Sequence, residues 1–366
     1  MKKERIKNEF LQLTSVDSIS LKEREIAAIL KGKLENLGFC VKEDRAAEKI
    51  GGEANNLYGF LKGSLPGEPI LFSAHMDTVQ PGIGKKTVFH EDGRITSDKS
   101  TVLGADDVAG IVEILEGIRS IREEGIPHRD VEVVFSVGEE LYCKGASAFD
   151  FDMIKAKEAY VLDLSGPVGS AACKAPSIIS FTMEVKGKPA HAGFEPEKGI
   201  HAIALMCKVI EGIKQGRLDE ETTLNIGTIR GGTMSNIVPE HCVCRGEIRS
   251  YSHEKALQVL EDVRGILQET VKDFSFDSMV HIEAYSVEKG ESVAERFARA
   301  CEKLGLPGDL TETFGGSDNN VFAKQGIRGL VLSCGMYQVH SVEEYATIED
   351  LILGAKLVRE LILDLT

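Results

Sequence analysis

Apolar residues recur along this chain with two alternating periods. Near the start, Ile6, Phe10 and Leu13 fall on one face of a helical repeat. Ser20 and Glu23 have the spacing of a capping box, and the apolar-periodic run behind them stops at Gly38. Short continuous apolar runs then alternate with helical ones. PILFSAHMDTV reads as a buried strand ending in polar residues, VAGIVEILEGIRSI as a helix with Ile111, Leu115 and Ile118 on one side, and VEVVFSV and AYVLDLS as two further strands. This alternation predicts an α/β fold, a mostly parallel sheet with helices on both faces.

The pattern changes near Pro176. SIISFTMEVKG is strand-like, GIHAIALMCKVIEGI helical, TTLNIGTIRGG and HCVCRGEIRS strand-like, HEKALQVLEDVRGILQETVKDF a long helix and MVHIEAYS a strand. The order β-α-β-β-α-β is that of a ferredoxin-like α+β unit. It predicts an inserted domain over 176–286 within a main domain made of 1–175 and 287–366. The α/β pattern resumes with the helix SVAERFARACEKLG, the strand GLVLSCG and a final helix from Ile348.

A length of 366 residues leaves room for two cores. A net charge of −15 argues against a nucleic-acid partner, which needs clustered Lys and Arg to neutralise phosphates. No apolar stretch is long enough to cross a bilayer, and the charged N-terminus reads as an amphipathic helix rather than a signal peptide. Of the eight cysteines, Cys242 and Cys244 lie close together without a second pair to complete a zinc knuckle. Reduced, mostly buried thiols in a cytoplasmic protein are the expectation.

The informative polar residues cluster after the strands of the first domain, where an open parallel sheet binds its ligands. In His75-Met76-Asp77, strand geometry puts Asp77 on the side of His75, where it can fix the ring's tautomer. For that tripeptide alone, a satisfied histidine beside a chance acid is the better reading. Gly104-Ala105-Asp106-Asp107 precedes a helix and in isolation reads as an acidic N-cap; alternatively Asp106 bridges two cations with its two oxygens. Gly138-Glu139-Glu140 follows a strand, either as a surface loop or as a metal ligand beside a free base. Asp163 ends an apolar strand, and His340 follows another. Taken together, one His and one carboxylate for each metal, with a shared Asp, make a co-catalytic site. That donor set suits zinc, with manganese or cobalt as alternatives.

SAHMDTV, LGADDVAG, GEE, VLDLSG, GKPAHAG and SNIVPE, in this order, resemble the metallopeptidase family of peptidase T, glutamate carboxypeptidase, succinyl-diaminopimelate desuccinylase and aminoacylase. The likeness spans nearly the whole chain. It is greatest to the peptidase-T-like subgroup, through GADD, AHAGFEPEKGIHAI and GGSDNNVF. The resemblance implies that His75, Asp106 and Asp163 hold one metal and that Asp106, Glu140 and His340 hold the other. It further implies that Asp77 orients His75, that Glu139 is the general base for a metal-bridging water, and that the Asp106-Asp107 peptide is cis. The inserted domain becomes a lid and homodimerisation module. His191 of the lid then reaches the partner subunit's site to stabilise the oxyanion, and Asn236 and Arg249 bind a substrate carboxylate. Gly315-Gly316-Ser317-Asp318 resembles a substrate-contacting loop, with Gly316 and Ser317 its candidate contacts, and reads equally as a helix cap. Val108 stands where relatives often carry Lys, and the chain is shorter than expected for peptidase T itself.

The expected function is therefore that of an exopeptidase of short peptides, a di- or tripeptide aminopeptidase. Three rivals stand beside it: an N-acyl amino acid deacylase using the same metals, a catalytically silent binding module on the same fold, and a second dinuclear aminopeptidase family. The two helices in the insert count against the last, whose insert is a small β-barrel.

Overall fold

Ile70–His75 is buried along its whole length, as a strand covered on both faces must be. It lies between Val131–Ser136 and Glu158–Leu164, parallel to both, and Arg328–Ser333 continues the parallel set beyond Glu158–Leu164. The C-terminal ends of these four strands therefore share one edge of the sheet. Outside them the sheet turns antiparallel, through Leu57–Leu61 and Cys40–Glu43 on one side and Ser170–Ala175 on the other. The sheet is thus mixed, parallel at its centre, where both faces carry apolar side chains.

The helix Ala105–Glu124 is buried nearly all round, not only along Ile111, Leu115 and Ile118. Its neighbour Ile348–Leu363 explains part of this. At Gly117 an added Cβ would lie 2.8 Å from the Ala355 carbonyl oxygen, so the two helices meet at backbone distance. Glu116, buried on the same helix, is satisfied by the Arg5 guanidinium at 2.7 and 2.8 Å. Arg5 belongs to the first helix, Lys3–Thr14, which buries Ile6, Phe10 and Leu13 as its pattern predicts.

The capping box at Ser20 and Glu23 does not form. The helix Arg24–Asn36 begins without a side-chain cap. Ser20 instead donates to Asp77 Oδ2 at 2.7 Å, and Glu23 accepts from the Leu21 and Gly138 amides at 2.8 and 3.0 Å. Buried groups at the strand ends have no water to turn to, whereas a helix start near the surface does, so the buried groups take these partners.

The computed structural model describes residues 1–365, which form two compact units. One comprises Met1–Lys174, Ser286–Thr313 and the chain from Ser317 onward; the other comprises Ala175–Tyr285 and Phe314–Gly316. The second unit has an antiparallel five-stranded sheet ordered Gly216–Arg217, Thr222–Gly231, His241–Ser250, Ser177–Lys186, Phe274–Ile282. Helices Ala202–Gly212 and His253–Thr270 pack on it over Phe181, Met183, Met206, Cys244 and Leu260. Its last strand starts at Phe274, upstream of Met279, because Phe274 and Phe276 also pack against that core. Among the described residues no helix is long and apolar enough to cross a membrane, and all eight cysteines are free thiols.

Candidate metal centre

Five side chains converge at the shared strand edge of the first unit. His75 is the last residue of its strand, Asp163 the penultimate residue of the next, and Glu140 lies in the turn after Val131–Ser136. Asp106 begins the helix Ala105–Glu124, and His340 sits in the loop between Met336–Tyr337 and Tyr345–Thr347. Gly110 makes this convergence possible. A Cβ there would stand 2.4 Å from the Leu162 carbonyl oxygen, so glycine lets the helix start press against the strand that carries Asp163.

The distances sort these residues into two groups that share Asp106. His75 Nε2 is 3.0 Å from Asp106 Oδ1 and 3.8 Å from Asp163 Oδ1. His340 Nε2 is 3.2 Å from Asp106 Oδ2 and 3.0 Å from Glu140 Oε1. Within each group of three, the donor atoms all lie within 4.8 Å of one another. One aspartate thus turns one oxygen to each group.

The neighbouring residues fix these candidate ligands. His75 Nδ1 lies 2.9 Å from the Asp77 main-chain oxygen and 3.4 Å from Asp77 Oδ1. A carbonyl only accepts, so Nδ1 carries the proton and Nε2 presents its lone pair to the cluster. The nearer contact is thus with the Asp77 carbonyl, because Asp77 lies just beyond the strand end. The Asp77 carboxylate itself accepts from the Glu139 and Glu140 amides at 2.9 and 3.2 Å, tying the His75 strand to the glutamate turn. Asp107 ties the same strand to the helix, accepting from the His75 amide at 3.0 Å and the Gly110 amide at 3.2 Å. The Asp106-Asp107 peptide is cis.

Burial opposes charge throughout the crevice. It pushes the carboxyls of Glu139, Asp163 and Glu140 above their ordinary range, Glu139 with a further push from Asp163. At Asp106 burial also disfavours the anion, but hydrogen bonds from His340 and His75 hold the carboxyl below its usual value. The reverse of this coupling lifts His340 to about 10, through Asp106 and Glu140. These acids face histidines rather than lysine or arginine. Two imidazole nitrogens and three carboxylates, split into two groups by a bridging aspartate, are a donor set that fits a pair of divalent cations.

Glu139 belongs to neither group. It adjoins Glu140 in the turn, and the buried Cys143 thiol donates to its Oε1 at 3.3 Å. Asp318 completes a second buried cluster with these two residues and accepts from Ser136 Oγ. Sequence reasoning gave no role at the site to Cys143, Asp107 or Glu344, and read Ser20 only as a helix cap. Spacing carries no signal for these site contacts, since Ser20, Asp107 and Glu344 reach residues far away in the chain and Cys143 acts through a local turn.

The remaining candidates divide between the units. Ser317 belongs to the first and caps the helix Asp318–Lys324, in a reciprocal capping box with Asn320. His191, Asn236, Arg249 and Gly316 belong to the second. There the Ala192 amide donates to the Asn236 carbonyl at 3.0 Å. His191 Nδ1 accepts from the Gly193 and Phe194 amides at 3.1 Å each, which leaves Nε2 as the protonated nitrogen of a neutral ring. The exposed Phe194 ring stacks on it at 4.2 Å. Arg249 donates to Glu247 at 2.6 Å and to the Phe314 carbonyl at 2.7 Å. At Gly316 an added Cβ would fall 2.1 Å from Ile282 Cδ1, so a larger residue there would have to move the end of that side chain.

Comparison with known proteins bears on the chain as a whole. The chain is 38% identical to the aminopeptidase PepT of Bacillus cereus, covering 99% of this chain and 98% of that one with a TM-score of 0.93. The chain belongs to the M20 metallopeptidase family, on its peptidase-T-like side. A tripeptidase of Staphylococcus aureus superposes on this metallopeptidase with a TM-score of 0.95 at 33% identity, over 99% of this chain and 98% of that one. Uncharacterized protein YqjE of Bacillus subtilis is 40% identical over 97% of this chain and 96% of its own length. The family description "Peptidase dimerisation domain" matches residues 175–275, and "Peptidase family M28" matches residues 56–174. This M20 family member is therefore a metallopeptidase.

Proposed function

We propose that this chain is a dinuclear metal-dependent aminopeptidase of short peptides, tripeptides foremost, acting in the cytoplasm as a homodimer. The observation that carries the reading is the sharing of Asp106 between two groups of three donors, with Glu139 beside them and outside both. Likeness along the whole chain to a tripeptidase and to an aminopeptidase PepT supports the substrate class. Eight unpaired cysteines are in keeping with a reducing compartment.

His75, Asp106 and Asp163 would hold one cation, and Asp106, Glu140 and His340 the other, zinc being the ion that this mixture of nitrogen and oxygen donors suits best. When bound, such a pair supplies Lewis acidity, lowering the pKa of water and polarising the scissile carbonyl. Glu139 takes the proton of the attacking water and passes it to the leaving amine. Its raised proton affinity, from burial and Asp163, suits a group that must hold a proton between the two steps. Asp77 keeps His75 in the tautomer that leaves Nε2 free. His191 of the partner subunit donates Nε2–H to the developing oxyanion, and the match of residues 175–275 to a dimerisation domain supports that arrangement. Arg249, with about a third of its side chain exposed and its orientation set by Glu247, binds a substrate carboxylate with Asn236. Gly316 and Ser317 would be further substrate contacts.

A substrate panel tests this reading. Di-, tri- and tetrapeptides are compared with N-acetyl and N-succinyl amino acids, each with zinc, cobalt or manganese supplied separately. Tripeptides with a free amino terminus should be cleaved fastest. Preferred cleavage of the acyl amino acids would make the protein a deacylase. No hydrolysis of either set, with metals bound, would make it a binding module.

A further inference from the structure

Asp107 accepts from the Gly110 amide, but the amides ahead of it, at the start of the helix that carries Asp106, have no such local cap. Gly104, at the N-cap position with φ +76°, has no side chain, and Asp106 and Asp107 both depart from helical φ and ψ. The amides at such a start have no partner within the helix and, when buried, must find one elsewhere. They find it 240 residues away. Glu344, only 1% exposed, accepts from the Gly104 amide at 2.8 Å and from the Asp106 amide at 2.9 Å. A buried carboxylate and two buried amides satisfy one another, and neither side has solvent to fall back on.

Glu344 also lies four residues after His340. The intervening turn is tightly made: His340 has φ +61°, and the Glu344 amide donates back to the Ser341 carbonyl at 3.1 Å. One carboxylate therefore joins the loop of His340 to the helix start of Asp106. These are two of the three donors of the Asp106, Glu140 and His340 group. His75 and Asp163, which complete the other group, stand on sheet strands and have no hydrogen bond to Glu344.

We propose that Glu344 is a positioning residue for the second metal site, holding Asp106 Oδ2 and His340 Nε2 at the separation that a cation shared with Glu140 requires. The proposal rests on the dinuclear reading above. It assigns Glu344 to the cation without direct contact, as a hydrogen-bonding partner behind the ligands; loss of such partners weakens metal binding by about 10–100-fold.

The test is a competition titration of metal-free protein with zinc against a chromophoric chelator, for wild type, Glu344→Ala and Glu344→Gln. Thermal unfolding of each metal-free protein and kcat and KM at rising zinc accompany it. Wild type should bind two equivalents. In Glu344→Ala the equivalent held with Glu140 and His340 should weaken by about 10–100-fold, the other, which shares only Asp106 with Glu344, should weaken less, and excess zinc should restore kcat with KM unmoved. Glu344→Gln keeps one acceptor oxygen but turns an NH2 group toward the other amide, so it should show a smaller loss in the same direction. Wild-type affinity for both equivalents in the variants would overturn the proposal, as would a lowered unfolding temperature with both affinities intact. If Glu344→Ala does not fold, Glu344→Gln decides by the same criterion. Fewer than two equivalents in wild type would instead overturn the dinuclear reading.

Discussion

The crevice of the first unit and the candidate residues of the second differ in how their geometry is held. In the crevice, the candidate ligands and the groups around them bind one another. Asp77 joins His75 to the glutamate turn, Asp107 joins His75 to the helix start, and Asp106 stands between two histidines. Each contact constrains the next, so the arrangement carries its chemical meaning within a single unit. In the inserted unit, His191 is held by the backbone of its own loop and Arg249 by Glu247 and the Phe314 carbonyl. Their side chains are oriented but meet no reacting group of that unit. Roles completed inside one unit can be read from its geometry, whereas roles that need a partner have to be tested.

The largest effect should come from the crevice. Glu139→Gln should keep both cations yet lower kcat by about 100-fold or more, read by steady-state kinetics beside metal analysis. Normal turnover in the metal-loaded variant would remove Glu139 from the chemistry. His191→Ala should lower kcat by about 10²–10³-fold, the scale for losing one oxyanion donor, with metal content unchanged. Loss of metal in that variant would place His191 with the crevice and erase the contrast between the units. Gly110→Ala should cost about 1–3 kcal/mol in denaturant unfolding, because the new methyl meets a backbone carbonyl rather than a movable side chain. Unchanged stability would mean that the helix start does not press on the Asp163 strand.

The smallest effect concerns acids paired with bases rather than with cations. Burial opposes the charge of Glu9, but Arg119 and Lys33 hold its carboxyl below the ordinary 4.5. A carboxyl depressed in the folded state contributes stability that is present above its ordinary value and lost as pH falls through its folded one. Glu9→Gln should therefore cost about 1–2 kcal/mol near neutrality, and the gap to wild type should close on acidification. A gap constant with pH would show that packing, not charge, is what the substitution removes.

The sequence was most legible where apolar periodicity and strand ends coincide. Runs such as ILFSAH and VEVVFS mark buried parallel strands, and the acids and histidines just beyond them fall where such a sheet gathers ligands. The ferredoxin-like order of the insert was equally plain. Two kinds of feature were not legible. Ser20 and Glu23 carry a capping signature, but tertiary demand at Asp77 and Gly138 overrides it. Glu344 and Cys143 act on Asp106 and Glu139 through contacts that spacing does not encode. The antiparallel margins of the sheet were likewise hidden, since periodicity reports burial and not strand direction.

The central claim, that one aspartate serves two cations, is tested most directly by counting metal in Asp106→Ala beside His340→Ala, with wild type as the reference. Wild type should hold two equivalents, His340→Ala should keep one, and Asp106→Ala should lose high-affinity binding of both. Retention of one tightly bound equivalent in Asp106→Ala, matching His340→Ala, would contradict a shared ligand.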